Sequence, residues 1–365
     1  MTSAGTIAAL EVGVDVSPLR RSIHTLHPAY FAMVMATGVV AIAAHLFHMA
    51  LLARALTWLN VGAFAVLCVM TVARIALYPR NFFQDLIDHN RGVGFFTIVA
   101  GMGVLGSQLI MVGGQYGTAT LLWFAALLLC ALLVYGIFTC FTVKDQKPSL
   151  AEGINGRWLI AVVATQAVSR LGSMLLPEFP AHQAEVLFLC LSLWLCGGML
   201  YIWMISLIFY RYTFFRFLPS DLMPPYWVNM GAMAISTLAG VHLIENAPRV
   251  PFIEGLIPFL KGFTLFFWAT ATWWIPMLVV LAFWRHLYKK FKLAYDPLYW
   301  GAVFPLGMYT VCTYQLARVT QFEFIFWIPR VFVYIAIAAW TATFLGLARS
   351  LVIAYRRVTP VERAG

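Results

Sequence analysis

Apolar residues run through this chain in long blocks rather than in the short alternations of strands. Windows of about 20 residues, enough to cross roughly 30 Å of hydrocarbon, recur from end to end. They fall at about 27–49, 53–77, 92–113, 118–143, 155–176, 184–209, 225–246, 257–285, 299–318 and 329–353. The pattern predicts ten membrane-spanning helices. Connections are mostly short, leaving no room for a soluble domain. The chain divides into an N-terminal tail (1–26), a ten-helix transmembrane domain (27–353) and a C-terminal tail (354–365). Residues 1–26 lack an apolar core followed by a small-residue cleavage site, so they read as a mature cytoplasmic tail, not a signal peptide.

The odd-numbered spans begin near 27, 92, 155, 225 and 299, a recurring unit of about 63–74 residues. Each unit is a pair of helices, so the expected fold class is all-α integral membrane, built of five helical hairpins. Several odd spans open alike: His27-Pro-Ala-Tyr-Phe31, Arg91-Gly-Val-Gly-Phe-Phe96, Pro224-Pro-Tyr-Trp-Val-Asn229 and Pro297-Leu-Tyr-Trp-Gly301. Anchoring at the cytoplasmic interface explains these aromatic pairs without function. Odd spans also carry more helix-weakening residues, among them Gly38, Gly103, Gly231 and Pro305. Small residues allow close helix packing, and a mid-span proline frees backbone that must face protein or water. Five inner helices around a central axis, backed by five outer ones, fit this pattern. Close packing without any pore fits these residues as well.

Composition agrees with a membrane. The 365 residues are 62% hydrophobic and 10% charged, with a formal charge of +10. Eighteen of the 24 Lys and Arg, including Arg74, Arg91 and Arg157, lie in or beside the tails and the loops after even-numbered spans. Arg54, Arg170, Arg249, Lys261, Arg318 and Arg330 do not. This positive-inside bias puts both termini in the cytoplasm of a plasma membrane, the inner membrane of a bacterium. The basic balance is topological, and no nucleic-acid-reading motif accompanies it. The six cysteines all lie in apolar runs without a C-x-x-C pair and read as buried small residues.

Ionisable groups inside a bilayer mark function by default. In the odd spans these are His45, His48, Arg170, His242, Glu245 and Arg318, all in the outer half or outer interface. Arg170 reads either as an interfacial arginine or partner of Glu245, or as a fixed cation that raises the local anion concentration. Gln108 and Gln166 read as interhelical hydrogen bonds before ligands. His45 and His48 have no acid or thiol between them to complete a metal site. Gly101-Met-Gly-Val-Leu-Gly106 matches a dinucleotide-binding pattern but sits inside a span with no preceding strand. No nucleotide-binding or hydrolase motif appears. No catalytic residue, metal site or cofactor is assigned.

The stretches Tyr299-Trp-Gly-Ala-Val-Phe-Pro-Leu-Gly-Met-Tyr-Thr310, Phe266-Phe-Trp-Ala-Thr-Ala-Thr-Trp-Trp-Ile-Pro276 and Pro225-Tyr-Trp-Val-Asn-Met-Gly-Ala232 resemble the tellurite-resistance/dicarboxylate transporter family. That family includes bacterial tellurite-resistance proteins, fungal malate permeases and sulfite efflux pumps, and plant slow-type anion channels. The resemblance covers about residues 25–355. It implies five hairpins whose odd helices line an anion path, a homotrimer with one pore per protomer, and small anions and the lipid bilayer as partners. It also implies a gate at the ninth-helix Phe-Pro motif, here Phe304 with Pro305 as the kink. Pore-lining or anion-binding candidates are Gly38, Gly103, Ser107, Gln166, Arg170, Asn229, Gly231, Ser236, His242, Glu245, Gln315 and Arg318. The expected function is passage of small anions, as a channel or as a secondary carrier for C4-dicarboxylates, sulfite or inorganic anions. A proton-coupled dicarboxylate transporter is the close alternative. A membrane-embedded redox or enzyme subunit, with His45 and His242 at comparable depth, is a distant one.

Overall fold

A computed structural model describes residues 18–292 and 294–362. Residues 1–17 of the N-terminal tail and 363–365 of the C-terminal tail, Arg363 among them, lie outside the described residues. A short helix, Pro18–Thr25, precedes the bundle. Ten longer helices follow: α1 (Ala32–Leu46), α2 (Ala50–Leu77), α3 (Phe96–Gly113), α4 (Tyr116–Val143), α5 (Ile160–Met174), α6 (Gln183–Phe214), α7 (Val228–Asn246), α8 (Ile257–Phe283), α9 (Trp300–Thr320) and α10 (Trp327–Glu362). The last continues past 353, where the sequence pattern ends the span.

Eight of the ten are long and apolar enough to cross a membrane. The two that fall short are α5 and α9. The first has 15 residues and carries Gln166, Ser169, Arg170 and Ser173. The second carries several Thr and Tyr residues and Arg318. Both are nevertheless interior, and α5 is buried at every position from Ile160 to Ser173.

The odd-numbered helices pack as a closed ring: α1 on α3, α3 on α5, α5 on α7, α7 on α9, and α9 back on α1. Each even-numbered helix lies outside, against the odd helix of its own hairpin and also against the next odd helix round the ring. The outer helices bury one stripe. In α4 that stripe is Ala119, Trp123, Ala126, Cys130, Leu133, Ile137 and Phe141, whereas Leu121, Leu128 and Leu132 are exposed. A helix apolar on its exposed face as well as its buried one has lipid for solvent. Cys196 is on such an exposed face, although Cys130, Cys190 and Cys312 are buried.

Hydrogen bonds tie each outer helix to the next inner helix. Trp123 Nε1 of α4 donates to Val168 O of α5 (3.1 Å), and Trp194 Nε1 of α6 donates to Ser236 O of α7 (2.8 Å). Trp268 Nε1 of α8 and Trp340 Nε1 of α10 donate to the hydroxyls of Thr313 on α9 and Thr37 on α1, both at 3.0 Å. In the first hairpin, Asn60 Nδ2 of α2 donates to Gln108 Oε1 of α3 instead (2.7 Å). These donors recur one hairpin period apart, a repeat in the outer helices that the sequence pattern does not advertise. Buried polar groups in an apolar surround must be paired, so each tie fixes an inner helix against its neighbour.

The similar openings of the odd spans share one backbone form, and the first four are largely buried. Each is a 3₁₀ turn: Pro28–Phe31, Gly92–Phe95, Gly156–Leu159, Pro224–Trp227 and Pro297–Tyr299. Proline early in three of them presets the backbone where no donor is needed. His27, Asn155 and Asp296 cap their turns by accepting from the N–H two residues on, at 3.1, 3.0 and 2.8 Å. The five turns touch in the same cyclic order as the helices they start, forming a second ring at that end of the bundle.

Candidate functional site

Phe304 is fully buried on α9. A Cβ added at Gly231 of α7 would meet Pro305 Cγ at 2.7 Å, and one added at Gly307 would meet Val39 Cγ1 of α1 at 2.7 Å. Pro305 therefore faces α7 and Gly307 faces α1, the two inner neighbours of α9. At about 100° per residue, Phe304 lies on the arc between those two contacts and Leu306 on the opposite side. Leu306 lines a groove with Ala339 and Ala342 of α10. The phenyl group thus starts from the face of α9 turned away from α10.

The C-terminal ends of α5, α7 and α9 carry charged groups. Arg170 of α5 is 1% exposed, yet its Nε and Nη1 have no hydrogen-bond partner and only Met111 Sδ of α3 receives Nη2, at 3.6 Å. No carboxylate lies within 4 Å of it among the described residues. Asn246 Nδ2 of α7 donates to Ser173 O of α5 at 3.2 Å, so the ends of α5 and α7 that carry Arg170 and His242 lie together. His242 Nδ1 lies 3.0 Å from Glu245 Oε2, and its Nε2 is buried without a partner. Glu245 is paired with His242, not with Arg170. Arg318 Nη1 donates to Gln315 Oε1 at 3.4 Å. Arg170 and the His242–Glu245 pair lie at the joined ends of α5 and α7, with Glu245 and Arg318 exposed and Arg170 buried.

The other candidates are placed elsewhere. Gln166 Nε2 donates to Trp194 O of α6, and Asn229 Nδ2 donates to Tyr212 Oη of α6, so both amides turn to an outer helix. Ser107 and Ser236 donate to carbonyls of their own helices. Gly38 and Gly103 lie at helix contacts, where a Cβ would meet Val104 Cγ1 and Ala167 Cβ, each at 2.7 Å. His45 and His48 are parted by the end of α1, with His48 at φ 61°.

The ring of turns carries a second polar group, which the sequence reading put down to topology. Arg74, 4% exposed, donates to Leu26 O and pairs with Asp85 at 2.5 Å, and Arg91 Nε reaches the same carboxylate at 2.7 Å. Arg157, 9% exposed, donates from Nε to Asn155 Oδ1 at 3.1 Å and from Nη2 to Asn90 Oδ1 at 3.5 Å. Burial first, then the charges of Arg91 and Arg157, pushes the His27 pKa down to about 4 against the pull of Asp85. The neutral ring is what lets His27 Nδ1 accept its capping hydrogen bond. The sequence signal was available. Asn155-Gly156-Arg157-Trp158 stands at the hairpin period in register with the other four openings.

Compared with known proteins, residues 25–348 match the family described as voltage-dependent anion channel. An uncharacterized transporter of Methanocaldococcus jannaschii is 25% identical over 311 residues, 83% of this chain and 88% of its own. An uncharacterized membrane protein of Mycobacterium tuberculosis is 38% identical over 154 residues, 42% of this chain and 77% of its own. A sulfite efflux pump of Trichophyton rubrum is 22% identical over 322 residues, 81% of this chain and 83% of its own.

Proposed function

The chain belongs to the voltage-dependent anion channel family, and on that premise we propose that it passes small anions through the centre of its five-helix ring, with Phe304 as the gate. The observation that carries this reading is Arg170. A buried guanidinium with two unpartnered nitrogens and no acid beside it is costly in a purely structural protein. It is economical where a passing anion completes its hydrogen bonds. A fixed cation at one end of a narrow apolar path concentrates anions without holding them, provided the binding is weak enough to release.

All ten helices cross the membrane in this reading, α5 and α9 included, because the ring around them shields their polar groups from lipid. Both termini are cytoplasmic in a bacterial inner membrane, and the unit of assembly is a homotrimer with one path per protomer. The substrate is sulfite, a C4-dicarboxylate or a small inorganic anion. Sulfite is supported by what the Trichophyton relative is named for. A role in tellurite resistance follows the wider resemblance.

A second reading, a proton-coupled dicarboxylate carrier, is favoured by the His242–Glu245 pair at 3.0 Å. The pair can exchange a proton beside Arg170. Purified protein in liposomes, challenged with chloride, nitrate, sulfite, malate and succinate with and without a pH gradient, tests both. Anion flux indifferent to a protonophore supports the channel, and flux that collapses supports the carrier. No flux of any of them over empty liposomes sinks both.

A further inference from the structure

Arg157 is a buried guanidinium set in the ring of 3₁₀ turns. It belongs to the third turn, and its Nη2 reaches Asn90, just before the second. The third turn contacts the second and the fourth, its neighbours in the ring. Arg157 stands at the opposite end of α5 from Arg170.

Its partners are neutral. Nε and Nη2 go to the amide oxygens of Asn155 and Asn90, Nη1 has no protein acceptor among the described residues, and no carboxylate comes within 4 Å. The nearby acids are engaged elsewhere. Asp85 holds Arg74 and Arg91, Asp88 Oδ1 accepts from the backbone N–H groups of Asn90 and Arg91 at 2.9 and 2.8 Å, and Asp296 caps its own turn. Asn155 Nδ2 donates to Asn90 Oδ1 at 3.0 Å, so the two amides form a fixed cradle. They also line a cavity of about 430 Å³ whose wall carries Arg211 and Arg216, with Asp221 and Glu152 as its acids. Asp221 lies 3.9 Å from Arg211.

The geometry points to Arg157 as an anion-binding site at the turn-ring mouth of the path, taking small anions that offer two or more acceptor oxygens. The site rests on the reading of the ring centre as an anion path. A guanidinium held by one edge leaves a planar fork that matches two oxygens of a carboxylate or sulfite better than it matches a halide. With Arg170 at the far end, an anion meets a weak site on each side of Phe304. Conduction requires such multi-site, releasable binding.

The test measures binding and flux separately. Binding is read as the shift in thermal unfolding of purified protein titrated with sodium sulfite, succinate or chloride, in an Arg170→Gln background so that the outer cation does not contribute. Arg157→Gln is expected to raise the half-saturating sulfite or succinate concentration by about tenfold or more, the loss of one charged hydrogen-bonding pair. Arg157→Lys keeps the charge without the fork and is expected to retain chloride binding while losing the oxyanions. It also serves as the folded control if Arg157→Gln fails to fold. Oxyanion binding unchanged in Arg157→Lys, or in a folded Arg157→Gln, overturns the site. In the same preparation, liposome flux by the parent judges the path. A parent that conducts while binding ignores Arg157 sinks the site alone. A parent that never conducts but binds sulfite through Arg157 sinks the path alone.

Discussion

Gly231 of α7 meets Pro305 of α9 so closely that a methyl group on the glycine would sit 2.7 Å from Pro305 Cγ. The contact lies one residue from Phe304 and sets how near α9 comes to α7. The proline cannot retreat along its own ring, so any added volume must move the helix. Gly231→Ala is expected to lower thermal stability by about 1–3 kcal/mol, the usual cost of overpacking a filled core. It is also expected to change anion flux, because the displaced segment carries the proposed gate. Thermal unfolding and liposome flux on one preparation check this, and a variant with both values unaltered would show the contact to be loose.

Arg170 offers an unusual sign. Removing one member of a buried ion pair destabilises a protein by leaving the other charge alone, whereas an unpaired buried cation has already borne its desolvation. Arg170→Met keeps the volume and removes the charge. Its melting temperature should therefore equal or exceed that of the parent. Anion flux should fall, with half-saturation raised by about ten- to a hundredfold, the range for a hydrogen bond to a charged group. A melting temperature far below the parent would instead mean that Arg170 has a partner essential to folding.

The periodicity of apolar blocks and the return of a similar opening every hairpin carried the helix positions, because both are local properties of the chain. The same was true of Arg170, whose depth in an apolar run is visible without a structure. The placement of Gln166 and Asn229 was not. Both sit in inner helices, and only the identity of the facing outer helix decides that their amides turn to Trp194 O and Tyr212 Oη. The buried contacts of Arg157 and Arg74 were missed for a related reason. A positive-inside tally treats every cytoplasmic cation as solvated, and cannot see that Arg74 is pinned to Asp85 or that Arg157 is buried against Asn155 and Asn90. The indole ties escaped because tryptophan is common in this chain, and the donors are distinguished only by what they reach.

His27 predicts a pH dependence. Its folded-state pKa is pushed down to about 4 from 6.5, so between those values the unfolded chain binds a proton that the folded chain refuses. Stability then rises with pH across that window and is fully present above about 6.5. Protonation at low pH also removes the Nδ1 acceptor that caps the first turn at 3.1 Å. Thermal unfolding in detergent should lose stability as pH falls from about 6.5 toward 4. His27→Asn, which can cap without titrating, should flatten that loss. An equal slope in parent and variant would assign the pH effect to other groups.

Phe304 is the proposed gate because a phenyl ring across a narrow apolar path excludes water, and an anion there loses hydration with nothing to replace it. Three side chains of falling size separate gating from packing. Phe304→Leu should raise flux modestly, and Phe304→Ala by about tenfold or more, equivalent to about 1.4 kcal/mol off the barrier. Stability should move the other way, with Phe304→Ala costing about 3–5 kcal/mol as a buried aromatic lost from a core. A residue that only fills space predicts the stability loss without the gain in flux. Flux that stays flat from Phe through Leu to Ala, in protein that elutes as a folded species, would therefore leave Phe304 as packing and move the gate elsewhere.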